Sequence, residues 1–237
     1  MGQALSLPQH LNTHAAQGLI PGEIVAQYEL GPLRNFVYLV IDWTEKSAVI
    51  IDPARDLTPL KDLAAHGIEL SGILLTHSHH DHIAGVPGIL ALYPDLPLYV
   101  HQEDQHRLTS LKSPRFHSVR DGEQLKPMGA KSALTFKAIH SPGHTSGEIC
   151  YLLEGEFGGY LFSGDTLFIR DCGRTDFDTG SNEEMYSTLQ KLKQLPNETI
   201  LLPGHHYAPE TSSFMGIEKK SSPPLLVSSV AELRSLP

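Results

Sequence analysis

The sequence is short of several things, and each shortage excludes something. Only two cysteines, Cys150 and Cys172, occur in 237 residues. A disulfide-stapled extracellular scaffold needs more, so a reducing cytoplasm is the expected compartment. No apolar stretch approaches the ~18 residues needed to cross a bilayer, which sets membrane insertion aside. The first twenty residues hold neither a basic cluster nor a continuous apolar segment, so no secretory or mitochondrial leader is read there. Basic residues are few: 18 Lys and Arg against 27 Asp and Glu leave a net charge of −9. That balance lacks the basic footprint of a nucleic-acid binder. There is no G-x-S-x-G elbow, so a serine nucleophile of that kind is not indicated. No short motif repeats along the chain. Hydrophobic content of 40% is modest but enough for a core, and the length suits one domain.

Histidine, by contrast, is abundant, with 14 in the chain. The densest group is Thr76-His77-Ser78-His79-His80-Asp81-His82, where four histidines and one aspartate fall within six positions. Imidazole and carboxylate are the ligands a borderline divalent metal prefers. A solvated His-rich loop with casual metal affinity is the plainer explanation. The flanks argue against it: the apolar run Ile73-Leu74-Leu75 reads as a buried strand, and Ile83, Val86, Ile89, Leu90 and Tyr93 recur at helical spacing from about Ala84. The histidines at 10, 14, 66, 101, 106, 117 and 140 read as surface or core residues.

Along the chain, residues 1–22 read as a polar arm. A strand begins at Ile24, and the runs 35–41 and 47–51 form a hairpin. Asp52-Pro53 ends it, with Asp52 either bonding its own turn backbone or supporting the histidine loop. Leu57, Leu60, Leu63 and Ala64 mark a helix stopped by Gly67. Leu98–Val100 reads as a short strand and 103–111 as a helix, with Pro114 closing the region. Residues 112–132 are turn-rich and receive little assignment. Strands follow over 134–139, 149–153 and 160–163. Ser181 or Asn182 caps a helix holding Met185, Leu189, Leu192 and Leu195, and 199–202 is the last strand. Composition and pattern alone give a mixed α/β protein.

Thr76 to His82 resembles the H-x-H-x-D-H signature of the metallo-β-lactamase superfamily. Ser141-Pro142-Gly143-His144-Thr145, Phe162-Ser163-Gly164-Asp165-Thr166 and Leu202-Pro203-Gly204-His205 follow in the order that family needs, and the resemblance covers roughly residues 24 to 207. It implies an α/β four-layer αββα sandwich: one domain over 1–237, with 1–22 as an arm and 208–237 as a short tail. It also implies two divalent metal ions, with zinc expected and iron or manganese as alternatives. His77, His79 and His144 match the first-metal ligands; Asp81, His82 and His205 match the second; Asp165 takes the bridging place. Asp81 and Asp165 are thereby the catalytic carboxylates around a hydroxide shared by the metals.

Within the superfamily the chain is similar to both glyoxalase II and the persulfide dioxygenases. His80, the stretch 184–192 and Gly204-His205-His206-Tyr207 are similar to glyoxalase II, which hydrolyses the thioester of S-acylglutathione. Cys172-Gly173-Arg174-Thr175-Asp176-Phe177 and the tail around Phe214-Met215-Gly216 resemble the dioxygenases, which use a single iron; here its ligands would be His77, His144 and Asp165. Arg174 and Tyr207 are the residues taken to meet a glutathione conjugate. The expected partner is thus a small thioester or glutathione conjugate, with no nucleic acid and no membrane, in a monomer or homodimer. The hydrolase is the preferred expectation, ahead of the dioxygenase and of a non-catalytic metal binder.

Overall fold

A computed structural model describes residues 19–109, 111, 115–155 and 158–236. Of the expected arm only residues 19–22 fall within this range, and Pro114 lies outside it. The first sheet has six strands in chain order: β1 (Val25–Leu30), β2 (Asn35–Asp42), β3 (Ser47–Ile51), β4 (Glu69–Leu74), β5 (Leu98–His101) and β6 (Phe116–Val119). β1, β2 and β3 are antiparallel neighbours, while β3 to β6 run parallel. Parallel neighbours need crossovers. These are α1 (Thr58–Ala65), then α2 (His80–Ile83) with α3 (Val86–Leu92), then α4 (Gln102–Gln105) with one 3-10 turn over His106–Leu108.

The second sheet also has six strands: β7 (Gln124–Leu125), β8 (Phe136–His140), β9 (Ile149–Leu153), β10 (Tyr160–Gly164), β13 (Ile200–Pro203) and β14 (Ser213–Phe214). Between β10 and β13 lie a small hairpin, β11 (Leu167–Phe168) and β12 (Asp171–Cys172), and the helix α5 (Asn182–Leu192). After β14 come α6 (Met215–Ser221), α7 (Pro223–Leu226) and α8 (Val230–Arg234).

The strands explain the layering. In β2, Phe36, Tyr38 and Val40 point into a core shared with Phe136, Tyr151, Phe162 and Leu202 of the other sheet. The alternate residues Val37, Leu39 and Ile41 pack with Leu60, Leu63, Val86 and Ile89 of the helices outside. A strand covered on both faces has to be apolar throughout, as this one is. On the far side, Ile139, Leu161 and Leu201 pack against Met185, Leu189 and Leu192 of α5 and against Met215, Leu225 and Leu233 of the tail. The αββα sandwich is therefore present. Among the described residues no helix is long and apolar enough to cross a membrane.

Several elements differ from the sequence reading. The helix expected over 84–93 is α3, from Val86 to Leu92, and an additional turn, α2, precedes it; Gly85 between them gives its N–H to Pro53 O at 2.8 Å. A Cβ there would sit 2.2 Å from Ala54 O, so this glycine allows close backbone approach to the Pro53-Ala54 strand exit. The 103–111 helix is shorter, and the turn-rich 112–132 region contains β6 and β7. β14 follows the strand expected to be last, and residues 208–237 include three helices docked on the fold.

Candidate metal centre

The predicted residues leave the sheets at strand ends. Asp52 follows β3, Thr76–His79 follow β4, Asp165 follows β10 and His205 follows β13; His144 comes from the β8–β9 loop. Carboxyl ends of parallel strands are where loops from different crossovers meet. β10 and β13 are parallel, with Phe162 opposite Leu202 and Gly164 opposite Pro203, which sets Asp165 beside His205. Two glycines make the approach possible. Gly164 has φ of +51°, and a Cβ there would meet Thr76 Oγ1 at 2.5 Å; a Cβ on Gly204 would meet Asp165 Oδ1 at 2.4 Å.

The side chains gather into two groups of three. In one, His77, His79 and His144 offer nitrogens that all lie within 4.8 Å of one another; in the other, Asp81, His82 and His205 do the same. His79 Nδ1 is 3.1 Å from His77 Nε2 and 2.9 Å from His144 Nε2. His82 Nε2 is 3.1 Å from His205 Nε2, and each lies 3.4 Å from Asp81 Oδ2. Asp165 touches both groups: Oδ2 is 3.5 Å from His144 Nε2 and 3.4 Å from His205 Nε2, while Oδ1 is 3.4 Å from His82 Nε2. All seven residues predicted from the sequence are thus brought together.

The outer ring nitrogens show which way each lone pair faces. His144 Nδ1 lies 2.7 Å from Arg174 O and His205 Nδ1 2.9 Å from Leu33 O. A carbonyl only accepts, so both Nδ1 atoms carry hydrogen and both Nε2 lone pairs face inward. His82 Nδ1 donates to Asp52 Oδ2 at 3.0 Å. Thr76 Oγ1 gives its proton to Asp52 Oδ2 at 2.6 Å and accepts from His77 Nδ1 at 3.0 Å. Asp52 also accepts from Thr76 N at 2.8 Å. Of the two readings for Asp52, the loop-supporting one holds: it binds the histidine segment from a left-handed backbone conformation, φ +50°.

Burial holds His77 well below the ordinary imidazole range, pushes His79 down to about 4 and lowers His144. These three are neutral near pH 7. A single proton on His79 Nδ1 cannot serve both lone pairs aimed at it, so the cluster suits a cation. His82 differs. Burial lowers its pKa, but the carboxylates of Asp165, Asp52 and Asp81 outweigh that and raise it to about 9. A metal at the second group has to displace this proton. Burial opposes ionisation of Asp165, yet His82 and His205 hold its carboxyl well below the usual range. Among the described residues no hydrogen-bond donor serves its buried Oδ1, as befits an oxygen facing a metal. The donor set of imidazole nitrogen and carboxylate oxygen fits a divalent metal, which makes this His/Asp cluster a candidate metal-binding site.

The mouth opens into a cavity of about 450 Å³ lined in part by His79, Asp165, Arg174, Phe177 and Tyr207. The Tyr207 ring stacks parallel on His205 with centroids 4.7 Å apart. Phe177 packs edge-on against His79 and His144. Arg174 contributes its carbonyl to His144, while its exposed guanidinium pairs with Asp176 at 2.7 Å and lies over the Phe177 ring. The His80 side chain points to solvent; His206 pairs with Glu29 at 2.6 Å and stacks on Phe36.

Several contributors carry no sequence signal of their own. Asn35 Nδ2 donates to Asp81 Oδ2 at 2.8 Å. Fully buried Glu148 accepts from Asp165 N at 2.7 Å; burial, then the nearby Asp165 charge, raises its pKa well above the carboxylate norm. Asp104 of α4 accepts from Ser78 N at 2.7 Å. Each is a lone polar residue whose importance depends on what the fold places beside it. The nearest hint for Glu148 is an acidic residue at the entrance to the apolar run 149–153.

Comparison with known proteins agrees with this geometry. The metallo-β-lactamase superfamily model matches residues 30–205. A hydroxyacylglutathione hydrolase from Hamiltonella defensa is 37% identical over 174 residues, 73% of this chain and 63% of that protein. The chain therefore spans less than two thirds of the length of the curated relative it matches. The crystal structure of ETHE1 from Myxococcus xanthus superimposes with a TM-score of 0.75 at 30% identity, covering 91% of this chain and 92% of that one. TTHA1623, solved in a di-iron-bound form, gives a TM-score of 0.68 at 30% identity over 83% and 98% of the two chains. With the sandwich, the strand-end ligand groups and a family match reaching from the first hairpin to His205 all in accord, the chain belongs to the metallo-β-lactamase superfamily.

Proposed function

We propose that the protein is a metal-dependent hydrolase that cleaves the thioester of S-acylglutathione-type substrates in the cytoplasm. The observation that carries this reading is the pair of three-residue groups joined through one carboxylate. His77, His79 and His144 would hold one cation, Asp81, His82 and His205 a second, and Asp165 would contact both. Divalent metals in such a site, zinc by preference, polarise a carbonyl and acidify a water molecule. The hydrolase similarity at 37% identity supports the substrate class.

The chain's own residues supply the rest. The carbonyls of Arg174 and Leu33 and the carboxylate of Asp52 fix the imidazole tautomers, so the nitrogens need no rearrangement on binding. Asp165 and Asp81 would add negative charge that offsets bound cations, and their carboxylates could accept a hydrogen bond from a water activated there. Leu33, Phe168, Phe177 and Tyr207 give the mouth apolar walls that hold an acyl group and exclude bulk water. Arg174 stands at the rim, where its exposed pair with Asp176 can exchange for a substrate carboxylate.

A second reading, a single-iron persulfide dioxygenase using His77, His144 and Asp165, is favoured by the placement of the Cys172–Phe177 run along the cavity. The experiment that separates the two is metal analysis of protein purified without added metal, joined to His82→Ala. The hydrolase reading expects two metals in the wild type, loss of one in the variant, and a fall in S-lactoylglutathione hydrolysis by orders of magnitude. One iron per chain, with oxygen uptake on glutathione persulfide that survives His82→Ala, would establish the dioxygenase instead.

A further inference from the structure

Each group of three ligands draws on both sheets. His77 and His79 follow β4 of the first sheet, and His144 follows β8 of the second; Asp81 and His82 also follow β4, and His205 follows β13 of the second. The spacing of the sheets is therefore built into both groups. At the strand exits main-chain bonds cross between the sheets: Ile149 N of β9 to Thr76 O at 2.8 Å, and Phe36 N of β2 to Gly204 O at 2.8 Å. Deeper in, face-to-face sheets stand about 10 Å apart, and backbone groups no longer meet. A long side chain with a donor at its tip can span that gap.

Two tyrosines do so reciprocally. Tyr38 of β2, in the first sheet, gives its hydroxyl proton to Pro203 O of the second at 2.6 Å. Tyr151 of β9, in the second sheet, gives its hydroxyl proton to Leu75 O of the first at 2.9 Å. A carbonyl only accepts, so the direction of both bonds is fixed. Each carbonyl lies two positions ahead of a predicted ligand, Pro203 before His205 and Leu75 before His77. Burial holds both phenols well above their ordinary range, so each keeps the proton it donates. Tyr38 is held in turn by Gln27, whose Nε2 donates to the hydroxyl oxygen at 3.1 Å and to Thr211 O at 2.8 Å. Phe36, Phe136 and Phe162 fill the same core with bare rings. A buried hydroxyl costs free energy unless it is bonded, so packing alone gives no reason for one at 38 or 151.

We infer that Tyr38 and Tyr151 are positioning residues for the metal centre, Tyr38 fixing the β13 exit that carries His205 and Tyr151 the β4 exit that carries His77. This rests on the two-metal reading above and adds to it the device that keeps ligands from different sheets at one separation.

The test is zinc titration of the full chain against a chromophoric chelator. His82→Ala, which removes the Asp81–His82–His205 equivalent, tells the two equivalents apart. Tyr38→Phe and Tyr151→Phe each delete one oxygen and keep the ring. Tyr38→Phe should weaken the Asp81–His82–His205 equivalent about tenfold, the lower end of what loss of an outer partner does, and leave the other within twofold. Tyr151→Phe should do the reverse. Tyr28→Phe is the control: that ring is buried on the outer, helix-covered face, and its hydroxyl donates to Asp62 Oδ2 at 2.8 Å. It should lower Tm and hold both equivalents within twofold. Folded Tyr38→Phe and Tyr151→Phe proteins that keep both affinities, or that weaken both equivalents alike, would overturn the inference. If the selective shifts are found while the wild type cleaves no acylglutathione, the positioning role stands and the hydrolase reading fails. If acylglutathione is cleaved and neither variant shifts an affinity, the hydrolase stands and the positioning role fails. Should the wild type take up a single iron, Tyr151→Phe alone should weaken it; no effect, or an equal one from Tyr38→Phe, overturns the role.

Discussion

Replacing Asp52 by Asn separates charge from shape at the hub of the site. Asn tolerates the left-handed backbone that Asp52 adopts at φ +50°. It also retains an acceptor for Thr76 N, which Asp52 Oδ1 holds at 2.8 Å. The difference falls on the other oxygen. Asp52 Oδ2 accepts from both Thr76 Oγ1 at 2.6 Å and His82 Nδ1 at 3.0 Å. An amide NH₂ there donates instead. The Thr76 hydroxyl can turn to accept, but His82 Nδ1 can accept only in the opposite tautomer. That tautomer puts hydrogen on Nε2, directed at His205 Nε2 3.1 Å away, where a metal would bind. Loss of such an outer partner typically weakens metal affinity about 10–100-fold, or roughly 1.4–2.8 kcal/mol. The loss should concentrate on the Asp81–His82–His205 group, because His144 takes its orientation from Arg174 O, away from Asp52. Competition with a chromophoric chelator, read for each metal equivalent, measures this. The tautomer argument fails if a folded Asp52→Asn protein holds both equivalents within twofold of wild type, or loses only the His77–His79–His144 one.

Other outcomes follow from the same geometry. Gly204→Ala would press a Cβ to 2.4 Å from Asp165 Oδ1 and 2.9 Å from Gly164 O; about 1–3 kcal/mol of stability should go, together with metal content, as thermal unfolding and elemental analysis would report. Arg174→Ala should raise KM for glutathione thioesters more than for small neutral thioesters, since His144 is held by the Arg174 main-chain carbonyl, which alanine keeps; equal effects would mark a structural loop residue. Leu233→Ala should lower stability by about 2–5 kcal/mol, since the side chain is buried between α8 and α5; a loss below 0.5 kcal/mol in denaturant unfolding would mean the tail does not dock. Acid sensitivity should depend partly on Asp42. Its burial opposes ionisation, but donors from Ser132, Glu45 N and Thr44 N prevail and hold its carboxyl below the ordinary range. The stabilisation is complete above the unfolded carboxylate pKa and disappears as pH falls through the lower folded value; Asp42→Asn should flatten the stability–pH curve there, and an unchanged slope would contradict it.

The sequence by itself determined the parts whose physics is local. The 35–41 and 47–51 runs must be buried on both faces, because apolar side chains on successive residues point to opposite sides of a strand, and β2 and β3 are buried in that way. Ser181 was readable as a cap because its side chain meets the N–H of Glu184 only three residues on. His77, His79, Asp81 and His82 were legible from the density of one short run, whereas His144, Asp165 and His205 were singled out only by the resemblance of their motifs to the family. What only the tertiary structure decided depends on contacts across long separations. Asp52 could as well have closed its own turn, until β3 and β4 came to lie parallel and set it against Thr76 and His82. Glu148 and Asn35 gain their roles only where the two sheets converge on the Asp165 and Asp81 loops. The separate turn α2 ahead of α3 goes with a backbone contact between Gly85 and Pro53, thirty-two positions earlier in the chain. The docking of 215–234 on α5 arises likewise from short, weakly periodic helices that become stable only against an apolar face, since helices of four to seven residues do not hold together alone.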